Sequence, residues 1–172
     1  MLRPLFRYPD PVNENAARLI AGGVLLLSLA FLVTGNGLAV GILAYGFVAR
    51  VLTGPTMSPS AQFVNRLVVP RLSVPTKLVP GPPKRFAQGI GAVLSVGALA
   101  ASVSGLDVLA FGLVGVVAIA ATLESVFAIC VGCLLFGRLM AIGLVPASVC
   151  EACNDLSPAR PREQGSTEPS VR

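Results

Sequence analysis

The sequence predicts an all-α membrane protein, a bundle of four transmembrane helices made of two helical hairpins. Of its 172 residues, 54% are hydrophobic and only 12% are charged, whereas a soluble domain carries about 25% charged residues. The charge collects at the N-terminus, in a central stretch and in the C-terminal tail, and long apolar runs lie between. Because one helical crossing takes about 20 apolar residues, these runs have room for about four crossings.

Each predicted hairpin turns at a glycine, the first at 35–37 and the second at 104–105. Asp10-Pro11 predicts the start of the first helix, with Asp10 as its cap, and Arg18 is expected to reach the lipid headgroups. The predicted helices cover, in chain order, about 16–34, 38–53, 86–103 and 106–136.

A weak parallel repeat relates the two hairpins, because Arg18 and Ser28 in the first correspond to Arg85 and Ser95 in the second. Chance similarity between helices rich in glycine and leucine explains this match equally well. The connection between the hairpins, residues 53–85, is rich in proline and basic residues. Within it, Ser58-Pro59 predicts the start of a short amphipathic helix lying at the membrane interface.

The distribution of basic residues predicts the orientation. The turns at 35–37 and 104–107 contain no lysine or arginine, whereas the three other polar regions do. By the positive-inside rule, both termini and the central connection are cytoplasmic in a multi-pass protein of the inner (plasma) membrane. The basic residues are then expected to contact the lipid bilayer and no nucleic acid. Residues 1–155 form the membrane domain, and 156–172 are a disordered cytoplasmic tail.

Two charged residues, Arg50 and Glu124, lie within apolar runs. A charge at the centre of a bilayer costs about 2.5–3.5 kcal/mol or more, so it normally faces a partner or water. We expect an Arg50–Glu124 ion pair between the hairpins. Two alternatives are an Arg50 side chain that reaches the headgroups and a Glu124 that relays protons or substrate.

The four cysteines form two pairs separated by sixteen residues, namely Cys130 and Cys133, then Cys150 and Cys153. This spacing is typical of a four-cysteine zinc site, and the same CxxC pairs serve thiol–disulfide exchange without a cofactor. In the cytoplasm, paired thiols are usually metal ligands or redox-active. Both interpretations therefore stay open for the predicted cytoplasmic segment 130–153.

The predicted helices give the two cysteine pairs different environments. Cys130 and Cys133 fall near the end of the fourth helix, where the helix dipole disfavours a thiolate. Pro146 predicts a new short helix, and Cys150 near its start is expected to be more reactive.

Several stretches together resemble a bacterial family of integral membrane proteins, domain of unknown function 4395. The similarity covers about residues 6–155. The matching stretches are Pro11-Val12-Asn13-Glu14, Arg50-Val51-Leu52-Thr53-Gly54-Pro55, Pro82 to Gly91 (PPKRFAQGIG), Cys130-x-x-Cys133 and Cys150-Glu151-Ala152-Cys153. The resemblance implies a membrane protein without an established activity. The family's layout of four helices with CxxC pairs is similar in outline to membrane thiol oxidoreductases of the disulfide-bond-forming and vitamin K epoxide reductase type. The bacterial enzymes of that type act outside the cytoplasm, whereas the cysteines of this sequence are predicted to be cytoplasmic.

The leading hypothesis from the sequence is a membrane thiol–disulfide or sulfur-relay protein that uses both CxxC pairs with a cytoplasmic thiol or sulfur-transfer protein. The main alternative is a non-catalytic scaffold in which the four thiolates bind zinc and dock a soluble partner. A small transporter using Arg50 and Glu124 is a third hypothesis. Glycine-rich helix faces, which allow close packing between helices, make a homodimer a further expectation.

Overall fold

A computed structural model describes residues 10–54, 58–71, 77–146 and 149. As the sequence predicts, the described chain is helical, apart from one short antiparallel pair of strands. The elements are β1 (Val12–Asn13), α1 (Glu14–Thr34), α2 (Gly37–Thr53), α3 (Pro59–Phe63), β2 (Leu78–Val79), α4 (Gly81–Val103), α5 (Asp107–Phe127) and α6 (Val131–Ala141). A π-helical turn (Val64–Val68) and a 3-10 turn (Val69–Arg71) continue α3.

Three helices, α1, α4 and α5, are long and apolar enough to span a membrane. With 21 to 23 residues each, they match the roughly 30 Å thickness of a hydrocarbon core at 1.5 Å per residue. α2 has 17 residues and α6 has 11. The chain is therefore compatible with an integral membrane protein.

The first helix begins at a different cap from the one the sequence predicts. The Oδ1 atom of Asn13 accepts hydrogen bonds from the backbone N–H of Asn15 (3.0 Å) and of Ala16 (3.5 Å). Val12 and Asn13 pair with β2, so the helix cannot start before Glu14. The Asp10 carboxylate instead accepts a hydrogen bond from the backbone N–H of Gly81 (2.9 Å).

The helix α4 begins at Gly81, five residues before the predicted start at 86. Pro82 and Pro83 occupy its first turn, where the missing N–H groups leave no hydrogen bond unmade. The earlier start places Lys84 and Arg85 inside the helix. Lys84 is buried there, with 8% of its surface exposed.

The predicted fourth helix, 106–136, is wrong, because the structure divides it into α5 and α6. The break follows Phe127, where Ala128 adopts the left-handed conformation with φ of 58°. Arg18 donates hydrogen bonds to the carbonyl oxygens of Ser125 and Val126, at 3.2 Å each. A cationic donor thus satisfies carbonyls that the end of a helix leaves without partners.

Non-consecutive helices make the largest packing contacts. α1 packs mainly against α5, and α2 packs mainly against α4, which also contacts α5. One cluster of buried side chains lies near the two glycine turns and contains Phe31, Val40 and Val114. A second cluster contains Val24, Leu43 and Val117. Many of the buried residues are alanines, which let helices approach closely.

The residues of the weak sequence repeat occupy equivalent places. Ser28 and Ser95 are both fully buried, and each hydroxyl donates to the carbonyl four residues earlier (2.9 and 2.7 Å). Arg18 donates to carbonyls at the end of α5, and Arg85 donates to the carbonyl of Val51 near the end of α2 (3.2 Å). Each arginine therefore caps the second helix of the other half of the chain.

These contacts bring the starts of α1 and α4 together with the ends of α2 and α5. We call this part of the molecule the basic end, since it collects Arg18, Arg50, Lys77, Lys84 and Arg85. Lys77 forms an ion pair with Glu14 there, with 2.8 Å between Nζ and Oε2. The turns at the opposite end contain no basic residue.

Candidate functional site

Cys130 lies at the N-terminus of α6, where it acts as the helix cap. Its Sγ atom accepts a hydrogen bond from the backbone N–H of Cys133 (3.3 Å). Both cysteines are free and half-buried. The sequence predicted that this pair lies near a helix C-terminus, so the dipole acts with the opposite sign. The N-terminus of a helix stabilises a thiolate.

The two thiols have opposite tendencies to ionise. The hydrogen bond with the Cys133 side chain is the main cause that lowers the pKa of the Cys130 thiol; the Lys84 ammonium acts in the same direction, while burial and the Glu124 carboxylate oppose it. The same hydrogen bond, followed by burial, raises the pKa of the Cys133 thiol. Of the two thiols, Cys130 therefore ionises more readily, and Cys133 keeps its proton.

Gly132, between the two cysteines, sets the position of α6. A methyl group on Gly132 would overlap the side chain of Ala87 on α4 and lie 2.5 Å from the Ala87 Cα atom. The rings of Phe86 and Phe136 pack nearby, with 5.6 Å between their centroids. The close approach of the two backbones holds Cys130 against α4.

Glu124 forms its ion pair with Lys84 on α4, which corrects the predicted Arg50–Glu124 pair. The side chain of Lys84 is 10% exposed and that of Glu124 is 23% exposed. The earlier start of α4 explains the difference, because it brings the Lys84 ammonium inside the helical array. The pair links α4 to α5 close to Cys130.

Arg50 is buried, with 4% of its surface exposed. Its guanidinium lies 4.7 Å from the centroid of the Phe47 ring, and Nη1 donates a hydrogen bond to the Ser60 hydroxyl on α3 (3.3 Å). These contacts join the end of α2 to the segment that begins at Pro59. The amphipathic helix predicted at Ser58-Pro59 thus has a structural partner on α2.

A cavity of about 500 Å³ lies between α1, α4 and α5 and reaches the basic end. Its apolar wall includes Ile20, Val24, Leu94, Val116, Val117 and Ala121. Its polar lining consists of Asn13, Arg50, Asn65, Lys84, Gln88, Glu124 and Cys130. The lining on α4 runs from Lys84 to Leu94, which corresponds to about 15 Å along a helix axis. The cavity is thus elongated, with polar groups at one end only.

One polar atom in the cavity wall has no partner. Gln88 Oε1 is buried and accepts no hydrogen bond within the described part of the chain. A buried acceptor without a donor costs about 1–3 kcal/mol. Gln88 lies one helical turn after Lys84, so both side chains are on the same face of α4. The cavity therefore offers a hydrogen-bond acceptor beside an ammonium group.

Cys150 and Cys153 lie outside the described residues. Among residues 10–54, 58–71, 77–146 and 149, no three cysteine, aspartate, glutamate or histidine side chains form a group that could hold a metal. A zinc site would need the second pair, and it stays a prediction from spacing alone. The structure brings Glu124, Arg50 and Cys130 to one cavity and describes neither thiol of the second pair.

Sequence reasoning missed Lys84, Gln88 and Gly132 as parts of this site. The sequence pattern places Lys84 in the basic connection 53–85, because it predicts that the helix starts at 86. The signal was present in the sequence, since prolines are common in the first turn of a helix. Lys84, Gln88 and Gly91 also follow the i, i+4, i+7 spacing of one helix face.

The sequence profile of a family described as Domain of unknown function (DUF4395) matches residues 12–141. The chain belongs to this family. The match confirms the resemblance read from the sequence. It includes the cavity and the first CxxC pair of this DUF4395 protein and ends before the second pair. No curated protein and no solved structure matches the chain significantly.

Proposed function

We propose that this DUF4395 protein is an integral membrane thiol–disulfide oxidoreductase that acts through Cys130 and Cys133. The observation that carries the proposal is the position of Cys130. Its sulfur caps α6, accepts the Cys133 N–H, and lines a cavity beside Lys84. These features stabilise a thiolate, which is the nucleophile and the leaving group of disulfide exchange.

The electronic asymmetry of the pair favours oxidation of a partner dithiol. Stabilising the Cys130 thiolate stabilises the reduced form of the pair, which makes the disulfide form a stronger oxidant. A partner thiolate attacks Cys130 of the Cys130–Cys133 disulfide, a mixed disulfide forms, and Cys133 leaves and takes up a proton. The partner's second thiolate then attacks the partner sulfur that is bonded to Cys130. The partner disulfide forms, and Cys130 leaves as a thiolate. Two electrons thus pass from the partner to the pair.

The arrangement in the membrane forms part of this proposal. α1 with α2, and α4 with α5, cross the bilayer as two hairpins, and α2 reaches the opposite surface with its 17 residues and the adjoining turns. The positive-inside rule places the basic end in the cytoplasm of a plasma-membrane protein. The partner is then a cytoplasmic thiol protein, which meets Cys130 at the basic end.

Thiol counting and metal analysis of the purified protein test the proposal. In a variant with Cys150→Ser and Cys153→Ser, we expect two thiols to react with a maleimide after reduction and none after oxidation with diamide. The single variants Cys130→Ser and Cys133→Ser serve as controls, because neither can form the disulfide. Two thiols that stay reactive after diamide treatment would overturn the proposal. Stoichiometric zinc held by the wild type and resistant to diamide would support the scaffold alternative.

A further inference from the structure

An oxidase of dithiols must pass its two electrons on, and the cavity beside Cys130 has the shape and polarity of a binding site for the acceptor. We infer that it binds a membrane quinone, a carbonyl ring with an apolar isoprenoid tail. The inference rests on the proposed thiol function and deepens it. It adds the class of molecule that reoxidises Cys130 and Cys133.

The volume of the cavity suits a small molecule. Ligand pockets usually measure about 300–1,000 Å³, with mostly apolar walls and a few polar groups, and this cavity measures about 500 Å³. Its polar groups lie at the basic end, where Cys130, Lys84 and Glu124 meet. Apolar side chains, mainly of α1, α4 and α5, line the rest. A ligand with one polar head and one apolar tail matches this division.

The apolar wall of the cavity includes an exposed residue, from which we infer an opening of the cavity toward the lipid. Val116 lines the cavity, yet 52% of its surface is exposed. It lies nine residues into α5, about 13 Å from the start of a helix that has the length of a bilayer core. An opening at this depth faces the hydrocarbon interior. A lipid-soluble ligand can therefore enter from the bilayer with its tail left in the opening.

The polar end offers what a quinone and its reduced form require. The Lys84 ammonium is a donor for a quinone carbonyl oxygen. Gln88 Oε1, buried without a partner within the described residues, is an acceptor for a hydroquinone hydroxyl. The same cavity wall carries the Cys130 sulfur. Head-group recognition and the electron donor thus share one end of the cavity.

The reaction balances without another oxidant or reductant. An S–S bond forms between Cys130 and Cys133, and two electrons pass to the quinone ring. The Cys133 thiol supplies one of the two protons that the quinone oxygens take up, and the solvent supplies the other, because Cys130 is already a thiolate. The products are a disulfide and a hydroquinone, which leaves through the opening in the bilayer.

Photolabelling tests occupancy of the cavity. The detergent-purified protein is irradiated with an azidoquinone, with and without an excess of decylubiquinone. We expect labelled peptides from 84–94 of α4 and 116–124 of α5, and decylubiquinone removes the label. Label that decylubiquinone does not displace, or that lies only on residues outside the cavity lining, would overturn the inference. A phospholipid that copurifies and that decylubiquinone cannot displace would overturn it as well.

Two cavity variants and one control variant distinguish loss of ligand binding in the cavity from a general effect of the substitution on the protein. Ala120→Leu adds bulk to the cavity wall, and we expect it to abolish labelling. Ala100→Leu adds the same bulk to an exposed position on α4 outside the cavity, and labelling is expected to stay at the wild-type level. Gln88→Leu removes the acceptor of one neutral hydrogen bond from the hydroquinone and is expected to weaken binding of the reduced form, decylubiquinol, about fivefold. Equal labelling of Ala120→Leu and Ala100→Leu would contradict the inference.

Anaerobic oxidation of the reduced protein separates failure of this inference from failure of the thiol function. Decylubiquinone is expected to convert the Cys130–Cys133 dithiol to a disulfide with formation of one hydroquinone per pair. If diamide forms the disulfide but decylubiquinone does not, the quinone inference fails and the thiol function stands. If diamide forms no disulfide while the azidoquinone still labels the cavity, the thiol function fails.

Discussion

The backbone of Gly132 lies against Ala87 without room for a side chain on the glycine. This contact joins α6 to α4 between the two cysteines of the CxxC pair. Glycine at this position therefore has a packing role and sets where the Cys130 sulfur lies. Phe136 on α6 also packs against Phe86 on α4, with 5.6 Å between the ring centroids.

The first prediction concerns this contact. Gly132→Ala is expected to push α6 away from α4, because the added methyl group overlaps backbone as well as side-chain atoms of Ala87. Overpacking of this kind typically costs about 1–3 kcal/mol. We expect slower formation of the Cys130–Cys133 disulfide by diamide, measured by maleimide labelling over time. The control is Gly137→Ala on the same helix, where an added methyl group meets nothing within 4 Å. Equal rates for the two variants would contradict a packing role.

The second prediction concerns the pH dependence of Cys130 alkylation. The thiolate reacts and the thiol does not, so the rate with iodoacetamide rises as the pH passes the pKa of Cys130. Because the Cys133 side chain lowers this pKa, Cys133→Ala should move the midpoint to higher pH. Cys133→Ser keeps a hydroxyl donor and should move it less. The rates are measured in a background with Cys150→Ser and Cys153→Ser, and a midpoint unchanged in Cys133→Ala would disprove the assignment.

The third prediction concerns the ion pair between α4 and α5. Lys84→Met leaves the Glu124 carboxylate half-buried without its partner, which should lower the free energy of unfolding by about 3 kcal/mol. The double variant Lys84→Met with Glu124→Gln should recover part of this loss. Lys77→Met removes the partner of Glu14, whose side chain is 12% exposed, whereas that of Lys77 is 73% exposed. It should also lower the free energy of unfolding, because it leaves a largely buried carboxylate without its partner.

Denaturant titration in detergent micelles measures these three free energies. The variant Glu124→Gln also tests the alternative that Glu124 relays protons. Lowered stability with an unchanged rate of dithiol oxidation supports the structural role. A lower rate of dithiol oxidation, measured at a temperature where the Glu124→Gln variant remains folded, supports the relay.

The fourth prediction concerns the break between α5 and α6. Ala128 has a positive φ, which costs an L-residue about 1 kcal/mol and costs glycine almost nothing. Ala128→Gly is therefore expected to raise the free energy of unfolding by about 1 kcal/mol. Ala120→Gly within α5 should lower it by a similar amount, because glycine is unfavourable in a helix interior. If both variants lower stability equally, the break is not left-handed in solution.

Apolar runs and glycine turns were sufficient to predict most of the helices. The first turn has a clear physical basis, since Gly35 adopts φ of 64° and Asn36 caps α2 with a hydrogen bond to the Leu38 N–H (2.9 Å). The break at Ala128 had no such signal, because neither glycine nor proline occurs there. Its carbonyls depend on Arg18, which is 107 residues away from Ser125 in the chain.

The candidate site was predictable only in part. Cys130, Glu124 and Arg50 were identified from residue type, because charges and paired thiols are unusual within apolar runs. Their partners were not, since Lys84 meets Glu124 only when α4 starts early and packs beside α5. The sign of the helix dipole at Cys130 also depends on the break at Ala128. The sequence pattern does not say which distant helices pack against each other, and the contacts of the site depend on that packing.

Helices of the first half of the chain pack mainly against helices of the second half. This packing has a consequence for the order in which contacts form during synthesis. α1 packs chiefly against α5, and Arg18 caps that same helix, so the ribosome must make more than half of the chain before α1 meets its neighbour. Until then the face of α1 that packs on α5 stays uncovered. A nascent chain that stops before α5 thus leaves Arg18 without the two carbonyls to which it donates. The core and this cap are completed together, once the last of the three long helices has been made.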